Sequence, residues 1–137
     1  MQAGYQLHKE TPSIEDYRRL RVLSGMSPKS LEAATAGLPN TLFAAVIRED
    51  GKAVGMGRII GDGGLFFQVV DIAVDPEHQG KGLGKAIVST LVEHLHKIAQ
   101  PGAYISLIAD GEARHLYAQY GFKPTAPASI GMYLHIS

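Results

Sequence analysis

The sequence predicts an α/β fold whose sheet mixes antiparallel and parallel strands, and two features carry that prediction. Two apolar runs, Leu42–Arg48 and Lys52–Ile60, are joined by Glu49-Asp50-Gly51. Asp-Gly between apolar runs signals a hairpin, because the tight turn needs positive φ at both central residues. Further on, an apolar run at Leu65–Val74, a glycine-rich loop, a long amphipathic stretch and a second apolar run at Ala103–Ala109 follow one another. A strand, a helix of that length and another strand imply a right-handed crossover between parallel strands.

The elements follow in order. Tyr5–Lys9 alternates weakly and is expected to form a first strand. Thr11-Pro12-Ser13 starts a helix, with Ser13 or Thr11 as N-cap and Glu15 and Asp16 in the first turn; it runs to about Ser24 and stops at Gly25. Ser27-Pro28 starts a second helix, from about Pro28 to Ala36, closed by Gly37 and Pro39. After the hairpin, Gly61–Gly64 reverses the chain. Leu65–Val74 is almost continuously apolar, which predicts a central strand covered on both faces. The longest helix is expected from Gly82 to about Ile98. Leu83, Ile87, Leu91, Leu95 and Ile98 form its core stripe, widened by Val88 and Val92. Glu112–Tyr120 is a short helix closed by Gly121, and strands are expected to begin at Phe122 and to span Ile130–Ile136. No repeat, low-complexity tract or linker interrupts the chain, so residues 1–137 are read as one domain.

Composition excludes several classes. The 137 residues carry 13 basic and 13 acidic side chains, so no broad positive field gathers nucleic acid, and an activity on charged tRNA is disfavoured. There is no cysteine, hence no disulfide, thiol catalysis or zinc–thiolate site. The histidines are scattered, and His94 and His96 cannot share a helix face, so no metal site is expected. Met1–Glu10 lacks the apolar core of a signal peptide and no apolar run has transmembrane length. A cytoplasmic protein without membrane partners is the expectation. No G-x-S-x-G is present, which disfavours a serine hydrolase.

The glycine loop, Gln79-Gly80-Lys81-Gly82-Leu83-Gly84-Lys85, stands at a helix entrance after Asp71-Ile72-Ala73-Val74-Asp75-Pro76. Strand, glycine loop, helix is how chains present backbone N–H groups to phosphate. A P-loop fails at Gln79 and Ala86, and the Rossmann pattern fails at Lys85 or Ile87. Gln79-Gly80-Lys81-Gly82-Leu83-Gly84 instead fits Gln/Arg-x-x-Gly-x-Gly/Ala, and resembles the acetyl-CoA signature of the GNAT superfamily of N-acetyltransferases. A second stretch, from Asp110 through Ala113, Leu116 and Tyr117 to Gly121-Phe122, resembles that family's Asn-x-x-Ala-x-x-Leu-Tyr-x-x-x-Gly-Phe, with Asp110 where Asn is usual. The matches cover roughly residues 65–123; the first half agrees by element order only.

The resemblance implies a mostly antiparallel sheet, flanked by helices, whose fourth and fifth strands are a central parallel pair that splays to admit the pantetheine arm. It implies an acetyl-CoA-dependent N-acetyltransferase acting by direct attack of a primary amine in a ternary complex. Cofactor contacts would come from the backbone of Ile72, Ala73 and Val74, from Gln79, Gly80, Lys81, Gly82, Leu83, Gly84 and Lys85, and from Asp110. The Val74 N–H would face the developing oxyanion. Lys81 and Lys85 are equally well explained as solvated lysines at a helix entrance. Tyr117 matches the general acid that protonates the leaving thiolate; Ala113, Leu116, Tyr117 and Tyr120 are also spaced as a plain core stripe.

The base is harder to find. Gln68 and Val70 fall where related enzymes place base or substrate groups, and neither can be a base. Asp71, beside them in an apolar run, is the candidate, since burial raises a carboxyl pKa; a structurally paired Asp71 is the competing account. The acceptor, a small-molecule or peptide amine, is expected between the helices of residues 13–37, the Gly61–Gly64 reversal and the strand near Met132–Tyr133. It would meet Tyr17, Arg18 or Arg21, with Asp62 as a further contact or merely a turn residue. Arginines there favour an acceptor bearing carboxylate or phosphate. A homodimer is one assembly this reading allows. The alternative reading, from another class, is a non-catalytic acyl-CoA-binding or sensing domain.

Overall fold

The Asp-Gly hairpin and the glycine-loop crossover together build a single five-stranded sheet. A computed structural model describes all of residues 1–137. The strands are β1 (Tyr5–His8), β2 (Phe43–Glu49), β3 (Lys52–Gly61), β4 (Phe66–Val74) and β5 (Tyr104–Ser106), and they lie side by side in that order. The β1–β2, β2–β3 and β3–β4 pairs are antiparallel, and β4–β5 is parallel. Asp50 and Gly51 take φ values of 49° and 80°, which lets Glu49 pair with Lys52 across a two-residue turn. The chain divides into two compact units, Met1–Leu107, which holds the whole sheet, and Ile108–Ser137.

Helices cover both faces of the sheet. On one face lie α1 (Ile14–Leu23) and α2 (Leu31–Gly37), whose Tyr17, Leu20 and Ala34 pack with Leu38 against Val46, Ala53, Met56 and Ala73. The other face carries α3 (Leu83–Ile98), which buries Leu83, Ile87, Val88, Leu91, Val92 and Leu95. Successive residues of a strand face opposite sides, so Gly55 and Gly57 flank Met56 on the α3 side. A Cβ at Gly57 would stand 2.6 Å from Ile72 Cδ1 and 2.6 Å from Ile87 Cγ2. Glycine there is what lets α3 settle against the sheet.

Several expectations are corrected. The second helix starts at Leu31 with Ser30 as its cap, whose Oγ accepts from Ala33 N at 3.0 Å; Pro28 is outside it, because Ser27 is engaged by Arg21 instead. Ile98 is 36% exposed, so the α3 stripe ends at Leu95. β4 is not covered on both faces: Phe66 is 63% exposed beside the buried Phe67. β5 has three residues instead of seven.

In the second unit, the expected helix at Glu112–Tyr120 is a 3₁₀ turn (Gly111–Ala113) followed by α4 (Arg114–Ala118). No strand forms at Phe122 or over Ile130–Ile136, and Ile130, Met132, Tyr133, Leu134 and Ile136 are 72–94% exposed. Alternation makes a segment fit for a strand, but a strand also needs an edge to pair with, and the pattern does not name one.

Candidate active site

β4 and β5 pair only at Phe66↔Tyr104, Phe67↔Ile105 and Gln68↔Ser106. β4 then runs on to Val74 with no strand on that side. The parallel pair is therefore joined at one end and open at the other, and an open strand edge offers backbone groups to an extended ligand. Ile72, Ala73 and Val74 lie on this open stretch; Gln68 is at its closed end and Val70 just inside it.

The open edge leads into the glycine loop. Asp75 Oδ1 accepts from Glu77 N at 3.0 Å and starts a 3₁₀ turn, Pro76–His78. Gln79 Nε2 then donates back to Val74 O at 3.1 Å, tying the loop to the strand end. Gly80 and Gly82 have φ of 78° and 80°, and a Cβ on either would meet nothing within 4 Å. The glycines are thus required by backbone conformation, and the space before them is open. Gly82 caps α3 without a side-chain bond, and the first intrahelical bond is Ala86 N to Gly82 O at 3.1 Å. The N–H groups of Leu83 and Gly84 precede that bond and have no partner within the helix. They share the positive end of a 16-residue helix dipole. Lys81 extends over the Tyr5 ring, 5.8 Å from its centroid. This donor set fits a pyrophosphate, and the open β4 edge fits an arm carrying amides.

A second arrangement lies on the α1 face and begins with a fault in the ladder. Arg58 pairs with Val70 and Met56 with Ala73, so Gly57 alone opposes Asp71 and Ile72. This is a β-bulge, with Asp71 at φ 60° in the left-handed region that Asp tolerates better than most residues. Its carboxylate, 6% exposed, accepts from Arg21 Nη1 at 2.6 Å and Tyr17 Oη at 3.1 Å on Oδ1, and from Arg58 Nη1 at 2.7 Å on Oδ2. Arg58 Nε donates to Thr41 Oγ1 at 2.9 Å, and its guanidinium stands 5.5 Å from the Tyr17 ring centroid. Burial, and then the charge of Asp71, push the Tyr17 hydroxyl pKa up, so Tyr17 holds its proton.

This cluster unites some of the anticipated acceptor residues and disperses others. Tyr17, Arg58 and Lys29 line a pocket of about 190 Å³ with Ala34 and Leu38. Arg21 bonds Asp71 and Ser27 instead of lining the pocket. Arg18 donates to Lys29 O at 3.0 Å on the surface and borders a separate, open depression with Ile14 and Leu31. Asp62 is the turn residue: its Oδ1 accepts from the backbone N–H groups of Gly64, Leu65 and Phe66, and those bonds hold its pKa below the usual carboxylate value. Arg58, Thr41, Lys29 and Ser27 escape a reading by motif. The available signal was Arg58, the lone cation in the apolar stretch Ala53–Ile60, as Asp71 is the lone acid in Leu65–Val74. No three His, Asp or Glu side chains gather as a metal ion would require.

In the second unit, Tyr117 on α4 is 9% exposed and meets Phe122 edge-on, with ring centroids 6.3 Å apart. Burial first, and then the charge of Asp110, push its hydroxyl pKa up. Asp110 stands at the entrance of the 3₁₀ turn and makes no side-chain cap.

The sequence profile described as "Acetyltransferase (GNAT) domain" matches residues 40–124, more than half of the chain. The chain belongs to the GNAT acetyltransferase family. Its fold is that of the family: a Staphylococcus aureus protein of unknown function superposes with a TM-score of 0.92 at 44% identity, over 96% of this chain and 99% of that one. Among curated relatives, the chloroplastic GCN5-related N-acetyltransferase 2 of Arabidopsis thaliana is 36% identical over 63% of this chain and 33% of its own length. The histone acetyltransferase TAP1 of Glycine max is 32% identical over 88% of this chain and 56% of its own length. The chain thus spans a third to just over half of these two relatives. No helix is long and apolar enough to cross a membrane.

Proposed function

We propose that the protein transfers the acetyl group of acetyl-CoA to a primary amine, by direct attack in a ternary complex. The observation that carries this is the β4 edge, unpaired beyond Gln68 and leading into a glycine loop that presents the N–H groups of Leu83 and Gly84 at the start of α3. In this reading Gly80–Lys85 hold the pyrophosphate, and the backbone of Ile72–Val74 holds the pantetheine arm. The Val74 N–H faces the thioester oxygen as charge develops on it. Tyr117 keeps its proton until the thiolate departs and then supplies it. The family profile runs across the boundary between the two units, which supports treating residues 1–137 as one acetyltransferase domain.

Asp71 takes a different role from that of a base. Both its oxygens are bound by guanidinium groups, which block approach to an amine. We assign it the positioning of Tyr17, Arg21 and Arg58, and assign the ammonium proton to water. The lack of a free base is also what favours the second reading, a non-catalytic acyl-CoA-binding domain. A panel of primary amines incubated with acetyl-CoA, with release of free thiol as readout, separates the two. Amine-dependent thiol release is expected; tight CoA binding without it across the panel would replace the enzyme by the binding module.

A further inference from the structure

The polar cluster under α1 is out of charge balance. Asp71 faces two guanidiniums, and the Arg21 and Arg58 side chains are only 8% and 9% exposed. The other polar groups bonded to the three, Tyr17, Ser27 and Thr41, are neutral. One positive charge is therefore left over in a largely desolvated place, where charges are ordinarily paired. Arg21 commits all its nitrogens: Nη1 to Asp71, Nε to Ser27 O at 2.8 Å and Nη2 to Ser27 Oγ at 3.0 Å. Arg58 commits Nε and Nη1 only; Nη2 enters neither bond. It is Arg58 that lines the pocket of about 190 Å³, with Lys29 as a second cation, and no acidic side chain borders that pocket. The volume suits an oxyanion together with a few more heavy atoms, since a water occupies about 30 Å³.

We propose that this pocket binds an oxyanion, phosphate or carboxylate, borne by the amine acceptor, with Arg58 Nη2 as donor and Lys29 as the second charge. The acceptor half of the proposal rests on the acetyl-transfer reading, while the anion half rests on the charge imbalance alone. The enzyme would then select amines that carry a negative group away from the reacting nitrogen. A guanidinium presents its donors in a fixed fork and an ammonium does not, so Arg58→Lys keeps the charge and loses the fit.

Two measurements test it. The first is thermal unfolding of the protein saturated with CoA, so that the glycine loop is filled, with inorganic phosphate or acetate added against chloride at constant ionic strength. A rise of about 3 °C at ten times the dissociation constant is expected for phosphate, reduced in Lys29→Met and absent in Arg58→Lys. Lys29 is exposed, so its variant decides the matter should the Arg58 variant not fold. No rise, or equal rises in all three proteins, would overturn the site.

The second is kcat/KM for matched amines, ethanolamine against its O-phosphate and 1,4-diaminobutane against 4-aminobutyrate. The anionic member is expected to be favoured by about tenfold or more, as a charge-assisted hydrogen bond is worth, and the ratio should fall towards one in Lys29→Met. Preference for the neutral or cationic member overturns the proposal and leaves acetyl transfer standing. No turnover of any amine, with phosphate still binding through Lys29 and Arg58, removes acetyl transfer and leaves the anion site.

Discussion

β4 borders two arrangements built on opposite principles. At its C-terminal end the loop Gln79–Gly84 offers backbone: positive φ at Gly80 and Gly82, and N–H groups with no bond inside α3. At its middle, the face towards α1 offers side chains: Tyr17, Arg21, Arg58 and Asp71, held by one another. The first site is contiguous in sequence and open. The second is gathered from three separate segments, α1, β3 and β4, and is largely buried. A backbone site tolerates changes of side chain as long as the conformation survives, and a network of buried charges tolerates almost none.

The largest expected effect follows from that contrast. Asp71→Asn keeps the size and the tolerance of left-handed φ, but leaves two buried guanidiniums without a counter-charge. Stability should fall by about 3–5 kcal/mol, the usual cost of breaking a buried ion pair, as read by urea unfolding. A loss below 1 kcal/mol would mean that the cluster is better hydrated than it looks. At the loop the effect should appear in binding far more than in folding. Gly82→Asp puts a carboxylate where the pyrophosphate would lie, and like-charge contacts cost several kcal/mol. CoA affinity should drop by about 100-fold or more by calorimetry, while stability falls only by the cost of a left-handed φ at a non-glycine residue, about 1–2 kcal/mol. Unaltered affinity would remove the loop from the cofactor site.

Tyr117→Phe sharpens the comparison further, since it deletes one hydroxyl from a buried ring. If that hydroxyl is the general acid, kcat falls by about 100-fold with CoA affinity retained. A kcat within about threefold of wild type, with chemistry limiting, returns the ring to a packing role. The smallest effect belongs to Asp62. Its pKa is held down by three backbone N–H groups in the folded chain, so its contribution is complete above about pH 4. As pH falls through the depressed folded value, that contribution disappears. The stability difference between wild type and Asp62→Ala should therefore be constant from pH 7 to about pH 5 and vanish in stronger acid. A difference that persists there would show that the side chain matters for a reason other than charge.

The same contrast explains what could be read in advance. The loop was legible because each step, the glycines, the acidic-proline turn and the apolar runs on either side, is local. So were the Asp-Gly hairpin, the Ser13 cap and the α3 stripe as far as Leu95. The α1-face cluster was not, since nothing local links Arg58 to Asp71 or Arg21. Their meeting depends on β3–β4 register and on the placement of α1. The segment Ile130–Ile136 failed in the opposite way: its alternation is a true local signal, but pairing is a property of an edge elsewhere, and in this chain the segment is left exposed.

The bulge at Asp71 and Ile72 makes the length of this stretch matter as well as its letters. Met56, Arg58 and Ile60 alternate in step, and across from them Gln68 and Val70 share the α1 face, as Ala73 does further on. An even-numbered series gives way to an odd-numbered one, and the change of phase happens at Asp71. Deleting one residue between Val70 and Ala73 would mend the ladder and keep most of the composition. It would also turn the acid away from its arginines, or else carry Val74 and the loop behind it round to the wrong face. Apart from Asp71 itself, related chains can therefore be expected to vary in sequence here more freely than in length. An alignment gap between Gln68 and Gln79 would mark a chain in which the acid and its arginines no longer meet in this way.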